Sequence, residues 1–133
     1  MVTVQRIELN KSESEQVLEL LEIGFNEKFS LDWLVWKYIK NPLLKENKPL
    51  VYAAIHEESN KIIGLSSFVP YDININDRII SAVQACDLVV HPSYRNKGIF
   101  TLIVQEAIKD LKKAGFKLVF VFPNFNSMPG LLK

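Results

Sequence analysis

The stretch from Arg78 to Phe122 constrains the fold of this chain more than any other. Residues 78–90 are a long β-rich apolar segment, and Phe116-Lys117-Leu118-Val119-Phe120-Val121-Phe122 is a second one. Between them, from Ile99 to about Ala114, Leu102, Ile103, Ala107, Ile108 and Leu111 recur at the spacing of one helical face. Gly115 is placed to cap that helix at its C-terminus. Two strands separated by a helix pair in parallel, through a right-handed crossover. The nearly continuous apolar character of residues 116–122 predicts a strand buried on both faces, which Pro123 ends.

The preceding residues supply the rest of a sheet. Residues 2–9 alternate and favour a first strand. Ser12 with Glu15 forms a candidate capping box, and Val17, Leu20, Leu21 and Phe25 predict an amphipathic helix over about 13–28. Ser30 is a second N-cap candidate, opening a short helix from Leu31 to about Lys40 that carries Trp33, Leu34, Trp36 and Tyr38. Asn41-Pro42 ends it, because the residue before proline is pushed out of the α region. Residues 50–56 and 61–70 read as a hairpin about the polar turn 57–60, and a polar loop with Asn74, Asn76 and Asp77 leads to the strand at Arg78. The order is βααβββαβ. It implies an α/β domain with a mixed sheet, an antiparallel meander followed by a parallel pair, and helices on both faces. No repeat, linker or low-complexity stretch divides the chain, so residues 1–133 are expected to form one domain.

Charge narrows the function classes. Sixteen Lys and Arg against fifteen Asp and Glu leave a net charge of +1, so no bulk attraction to nucleic acid is expected, and any anion site must be local. Cys86 is the only cysteine; with no internal disulfide and no His/Cys cluster, it reads as a small apolar strand residue, and no metal is expected. No basic-then-apolar leader opens the chain, and no apolar run approaches the ~18 residues of a membrane span. The expectation is a soluble cytoplasmic protein with no membrane partner.

The chemistry-bearing segment is Val89-Val90-His91-Pro92-Ser93-Tyr94-Arg95-Asn96-Lys97-Gly98-Ile99-Phe100, between a strand and a helix. A helix start offers unpaired N–H groups and a partial positive charge. Gly98 lets the backbone approach a phosphate, and Arg95 and Lys97 add cationic donors. A diphosphate is the natural guest, although spacing alone reads equally as a solvated basic turn. The segment lacks the Ser/Thr-terminated P-loop pattern and carries one glycine of the three in a dinucleotide fingerprint.

On these residues the chain resembles the GNAT-type N-acetyltransferases, whose pyrophosphate signature is [QR]-x-x-G-x-[GA]. Arg95 fills the first position and Gly98 the first glycine, while Phe100 stands where Gly or Ala is usual. The resemblance covers nearly the whole chain. It implies acetyl-CoA as co-substrate, with the pantetheine arm pairing along Leu88, Val89 and Val90, where the strand splays from its parallel neighbour. It places the pyrophosphate on the amides of Asn96, Lys97, Gly98, Ile99 and Phe100, and a cofactor contact at Asn124 or Asn126. The implied reaction is direct attack of a small-molecule primary amine on the thioester, which needs a deprotonated amine, an oxyanion donor and a proton for the leaving thiolate.

Asp87 is the candidate base, against the plainer reading of an outward residue on a half-exposed strand. Glu106 and Asp110 read as solvated, His91 as too near the turn to act on an amine, and His56 as an exposed strand end. Trp33, Trp36 and Tyr38 read as core or as an acceptor wall. The resemblance further implies that the chain matches the N-terminal part of the fold, without the usual last two strands. The tyrosine acid of that region has no counterpart at Leu131 or Leu132. An open edge at the fifth strand would favour a homodimer. Two functions follow: an acetyl-CoA-dependent N-acetyltransferase, or a non-catalytic acyl-CoA-binding or sensing module of the same fold.

Overall fold

The computed structural model describes residues 1–44 and 48–121. Its elements are β1 (Val2–Ile7), α1 (Lys11–Phe25), α2 (Leu31–Tyr38), β2 (Val51–His56), β3 (Lys61–Ile75), β4 (Arg78–Val90), a 3-10 turn (Pro92–Tyr94), α3 (Ile99–Lys113) and β5 (Leu118–Val121). The sheet runs β1-β2-β3-β4-β5, antiparallel through β4, with β5 parallel to β4. This is the mixed sheet that the element order implied.

The two faces are packed by different helices. On one, Val17, Leu20 and Leu21 of α1 and Leu34 and Tyr38 of α2 bury Ala53, Ile55, Leu65 and Val89. On the other, Ile99, Ile103, Ala107 and Leu111 of α3 bury Tyr52, Ala54, Phe68 and Val83. That face also carries a polar tie. The Tyr52 hydroxyl donates to Asp110 at 2.5 Å, and Arg6 Nη1 lies 3.9 Å from the same oxygen. Asp110 is therefore a structural acceptor as well as a partly solvated charge, its side chain keeping 46% of its surface exposed.

Several boundaries differ from the sequence expectation. The capping box at α1 uses Asn10 and Glu13, not Ser12 and Glu15. Asn10 Oδ1 accepts from the Glu13 amide at 2.8 Å, and Glu13 Oε1 accepts from the Asn10 amide at 3.0 Å. β1 stops at Ile7 because Leu9 turns to φ 60° and Asn10 begins the helix. α1 ends at Phe25, with Asn26 left-handed. Ser30 does cap α2, accepting from the Trp33 amide at 3.1 Å.

β3 runs to Ile75 rather than ending at Pro70. The reason is the turn Asn76-Asp77, where both residues have positive φ, as a two-residue hairpin with right-handed strand twist requires. Pro70 is tolerated because it lies past the β2 partner of Ser67, so its missing N–H forgoes no bond to β2. β5 also departs from expectation. Phe116 is buried under α3, but Leu118 and Val119 stay about 40% exposed on alternate faces. Among the described residues β5 is an edge strand, not one covered on both sides.

Candidate active site

The site is built on β4. Its distal half, Ala82–Ala85, pairs with Leu118–Val121 of β5. The other half, to Val90, pairs with β3 and leads into the turn before α3. Gly24 lets α1 lie directly on this half, since a Cβ there would sit 2.5 Å from Val89 Cγ1.

At the end of β4, the His91 Nδ1 accepts from the Ser93 amide at 3.1 Å and closes the 3-10 turn. Asn96 and Gly98 both take positive φ, 63° and 76°. Gly98 is the N-cap of α3, and no side chain caps that end. The first helical bond runs from the Leu102 amide to the Gly98 carbonyl. The amides of Ile99, Phe100 and Thr101 therefore precede the ladder and point away from the helix. Among the described residues, a Cβ on Gly98 would meet nothing within 4 Å, so the turn that leads into these amides borders open space. An uncapped helix start beside open space fits a diphosphate.

The flanking cations are arranged less simply than the sequence suggested. Arg95 Nε donates to the Val90 carbonyl at 3.1 Å, which folds the side chain back toward the end of β4. Lys97 Nζ lies 5.5 Å from the Tyr94 ring centroid. Both residues are exposed. Phe100 is half-buried, Ile99 packs into the α3 core, and Leu88, Val89 and Val90 lie on β4 where the resemblance put the cofactor arm. Asn124 and Asn126, with Phe122, Pro123 and the chain end, lie outside the described residues.

Asp87 is where simple alternation fails. Ser66 pairs with Leu88 and Phe68 with Ala85, so Ser67 alone stands opposite both Cys86 and Asp87. This bulge turns Asp87 toward the α2 face, beside Cys86, instead of outward. The Ser67 hydroxyl stitches the bulge: it accepts from the Asp87 amide at 3.1 Å, and lies 3.1 Å from the Asp87 carbonyl and 2.7 Å from the Tyr38 hydroxyl. Tyr38 donates to the Asp87 carboxylate, and Lys37 Nζ lies 3.2 Å from it. The Asp87 side chain keeps 15% of its surface exposed. Burial, and then the adjacent Asp87 charge, hold the Tyr38 hydroxyl protonated far above the ordinary tyrosine range. Burial also raises the Cys86 thiol.

The remaining candidates separate. Tyr38 is core and Trp33 packs against it, whereas Trp36 is 71% exposed. Glu106 pairs with Lys109 on the surface of α3. His56 bonds Ser59 beyond the end of β2 and lies 5.6 Å from the Tyr94 ring. Sequence reading missed Lys37 and Ser67 as partners of Asp87; only the bulge brings them together.

The architecture defines an α/β domain whose fourth strand delivers a carboxylate to one face and leads at its end into a helix start with free amides. The chain belongs to the GNAT acetyltransferase family: the profile of the Acetyltransferase (GNAT) domain matches residues 6–131. Its fold is similar to that of an acetyltransferase from Trypanosoma brucei, at a TM-score of 0.69 and 16% identity over 98% of this chain and 88% of that one. Saccharomyces cerevisiae N-myristoyltransferase with bound myristoyl-CoA gives a TM-score of 0.73 and 18% identity, over 86% of this chain and 29% of that one. In sequence, a putative glycylpeptide N-tetradecanoyltransferase of Amsacta moorei entomopoxvirus is 28% identical over 90 residues. Those residues are 68% of this chain and 28% of the viral protein. The Plasmodium falciparum glycylpeptide N-tetradecanoyltransferase is 28% identical over 82 residues, 62% of this chain and 19% of that protein. The chain thus spans less than a third of these curated relatives.

Proposed function

We propose that this chain is an acyl-CoA-dependent N-acyltransferase that transfers an acetyl group from acetyl-CoA to a primary amine. The uncapped start of α3, with open space over Gly98, carries this reading. Arg95 and Lys97 supply positive charge beside it, and the Cys86–Val90 half of β4 leads from the amides to Asp87. In the reaction, the neutral amine nitrogen bonds to the acyl carbon and the thioester C–S bond breaks. The nitrogen loses a proton, and the coenzyme A sulfur gains one. Asp87 takes the amine proton on this reading.

The likeness to tetradecanoyltransferases supports acyl-CoA as the donor class and makes chain length worth testing. Purified protein is mixed with acetyl-, octanoyl- or tetradecanoyl-CoA and a panel of primary amines, and thiol release is followed. Amine-dependent release with acetyl-CoA fastest is the expected result. Release only with the long chains would overturn the acetyl assignment.

A second reading has its own observation. Asp87 is tied to Tyr38 and Lys37, as a structural carboxylate would be. On that reading the domain binds acyl-CoA without turnover, and thiol release never exceeds the amine-free rate. A cytoplasmic homodimer through the β5 edge is the assembly we favour, and sedimentation at a monomer mass would count against it.

A further inference from the structure

A second concave surface lies beside the Asp87 cluster, apart from the α3 amides. It is a groove of about 450 Å³ between the end of α2 and the β3–β4 ribbon. Trp36 and Leu43 wall one side, and Tyr71, Gln84 and Cys86 the other. Trp36, Leu43 and Tyr71 keep 71%, 42% and 42% of their surface exposed. Three large apolar side chains thus face solvent around one depression, which marks a binding surface rather than scattered exposure.

The charge of the groove is one-sided. Lys37 and Lys40 line it, and among the described residues no carboxylate does. The ammonium of Lys37 is matched by Asp87 at 3.2 Å. Lys40 makes no ion pair among the described residues. A lysine near the end of α2 also complements the helix dipole, but that role gives no reason for Trp36 and Tyr71 to stand open beside it.

We infer that this groove holds the acceptor, and that the acceptor is an amine bearing a carboxylate on an apolar body, as an apolar amino acid does. The inference rests on the acyl-transfer reading and adds the substrate class. An alkylamine without an acid is a net cation near neutral pH, and Lys40 repels it. A carboxylate on the same molecule reverses that term and pairs with Lys40. The apolar body lies on Trp36 and Tyr71, and the amine end points along β4 toward Cys86 and Asp87.

Trp36 supplies the readout. Tryptophan emission of the full chain is titrated with leucine and with 3-methylbutylamine, which differ only by the carboxylate. Leucine should bind about fivefold more tightly, the scale of an ion pair to an exposed lysine. Lys40→Glu should invert the order, and Trp36→Phe should remove most of the signal. Equal or inverted affinities in the unaltered protein, no response to either ligand, or an unchanged order in Lys40→Glu would each overturn the inference. The melting shift with acetyl-CoA is measured on the same samples. Lys40→Glu should keep that shift. Its absence from the unaltered protein would sink the acyl-transfer reading itself, on a readout remote from Lys40.

Discussion

At the scale of single residues, the junction of Tyr38, Ser67 and Asp87 decides what the site can do. Tyr38 is buried, and its hydroxyl has both Asp87 and Ser67 as partners. Replacing it with phenylalanine leaves a half-buried carboxylate short of a donor, and should cost about 1–3 kcal/mol in chemical denaturation. Its pH dependence has a definite sign. The folded Tyr38 pKa is raised by burial first and by Asp87 second, so the folded state holds a proton that an unfolded tyrosine releases near its ordinary value of 10.0. This contribution is complete below pH 10 and is lost as pH climbs further, since the folded state then binds more protons than the unfolded one. Tyr38→Phe should therefore flatten the alkaline loss of stability, whereas an unchanged alkaline slope would count against the assignment. The turn residues Arg95 and Gly98 were legible in the sequence, because a glycine between a strand and a helix states a local backbone need. Asp87 was not. Alternation put it outward, and only the cross-strand register with Ser67 turns it inward.

At the scale of elements, local chemistry and tertiary packing divide the outcome. The meander, the crossover helix and the Ser30 cap follow from short-range patterns. Two polar pairs three residues apart, Asn10 with Glu13 and Ser12 with Glu15, compete in sequence for the start of α1, and the chain direction after Leu9 selects Asn10 with Glu13. Pro70 reads in sequence as the end of β3, while the Asn76-Asp77 turn carries the pairing five residues further. Gly24 tests the contact between α1 and β4. Alanine there gains up to about 1 kcal/mol in helix propensity. Its Cβ would lie 2.5 Å from a methyl of buried, branched Val89, and crowding of that kind costs about 1–3 kcal/mol. Gly24→Ala should lower the melting midpoint and weaken acyl-CoA binding together. A stabilised variant would show that α1 does not bear on β4 as described.

At the scale of the molecule, β4 unites the account. One end pairs with β5, the bulge turns Asp87 onto Lys37 and Tyr38 of α2, and the other end feeds the open start of α3. That continuity was legible as the order βααβββαβ, and the family match over residues 6–131 agrees with it. The direct test of the central claim is the melting transition with acyl-CoA added. At a hundredfold excess over the dissociation constant, a native-state ligand adds about 2.7 kcal/mol of stability. The account predicts such a shift for the unaltered chain and its loss in Gly98→Val, where a branched side chain at φ 76° both strains the turn and fills the open space beside it. No shift with acetyl-, octanoyl- or tetradecanoyl-CoA at millimolar concentration, or the same shift in Gly98→Val, would contradict it.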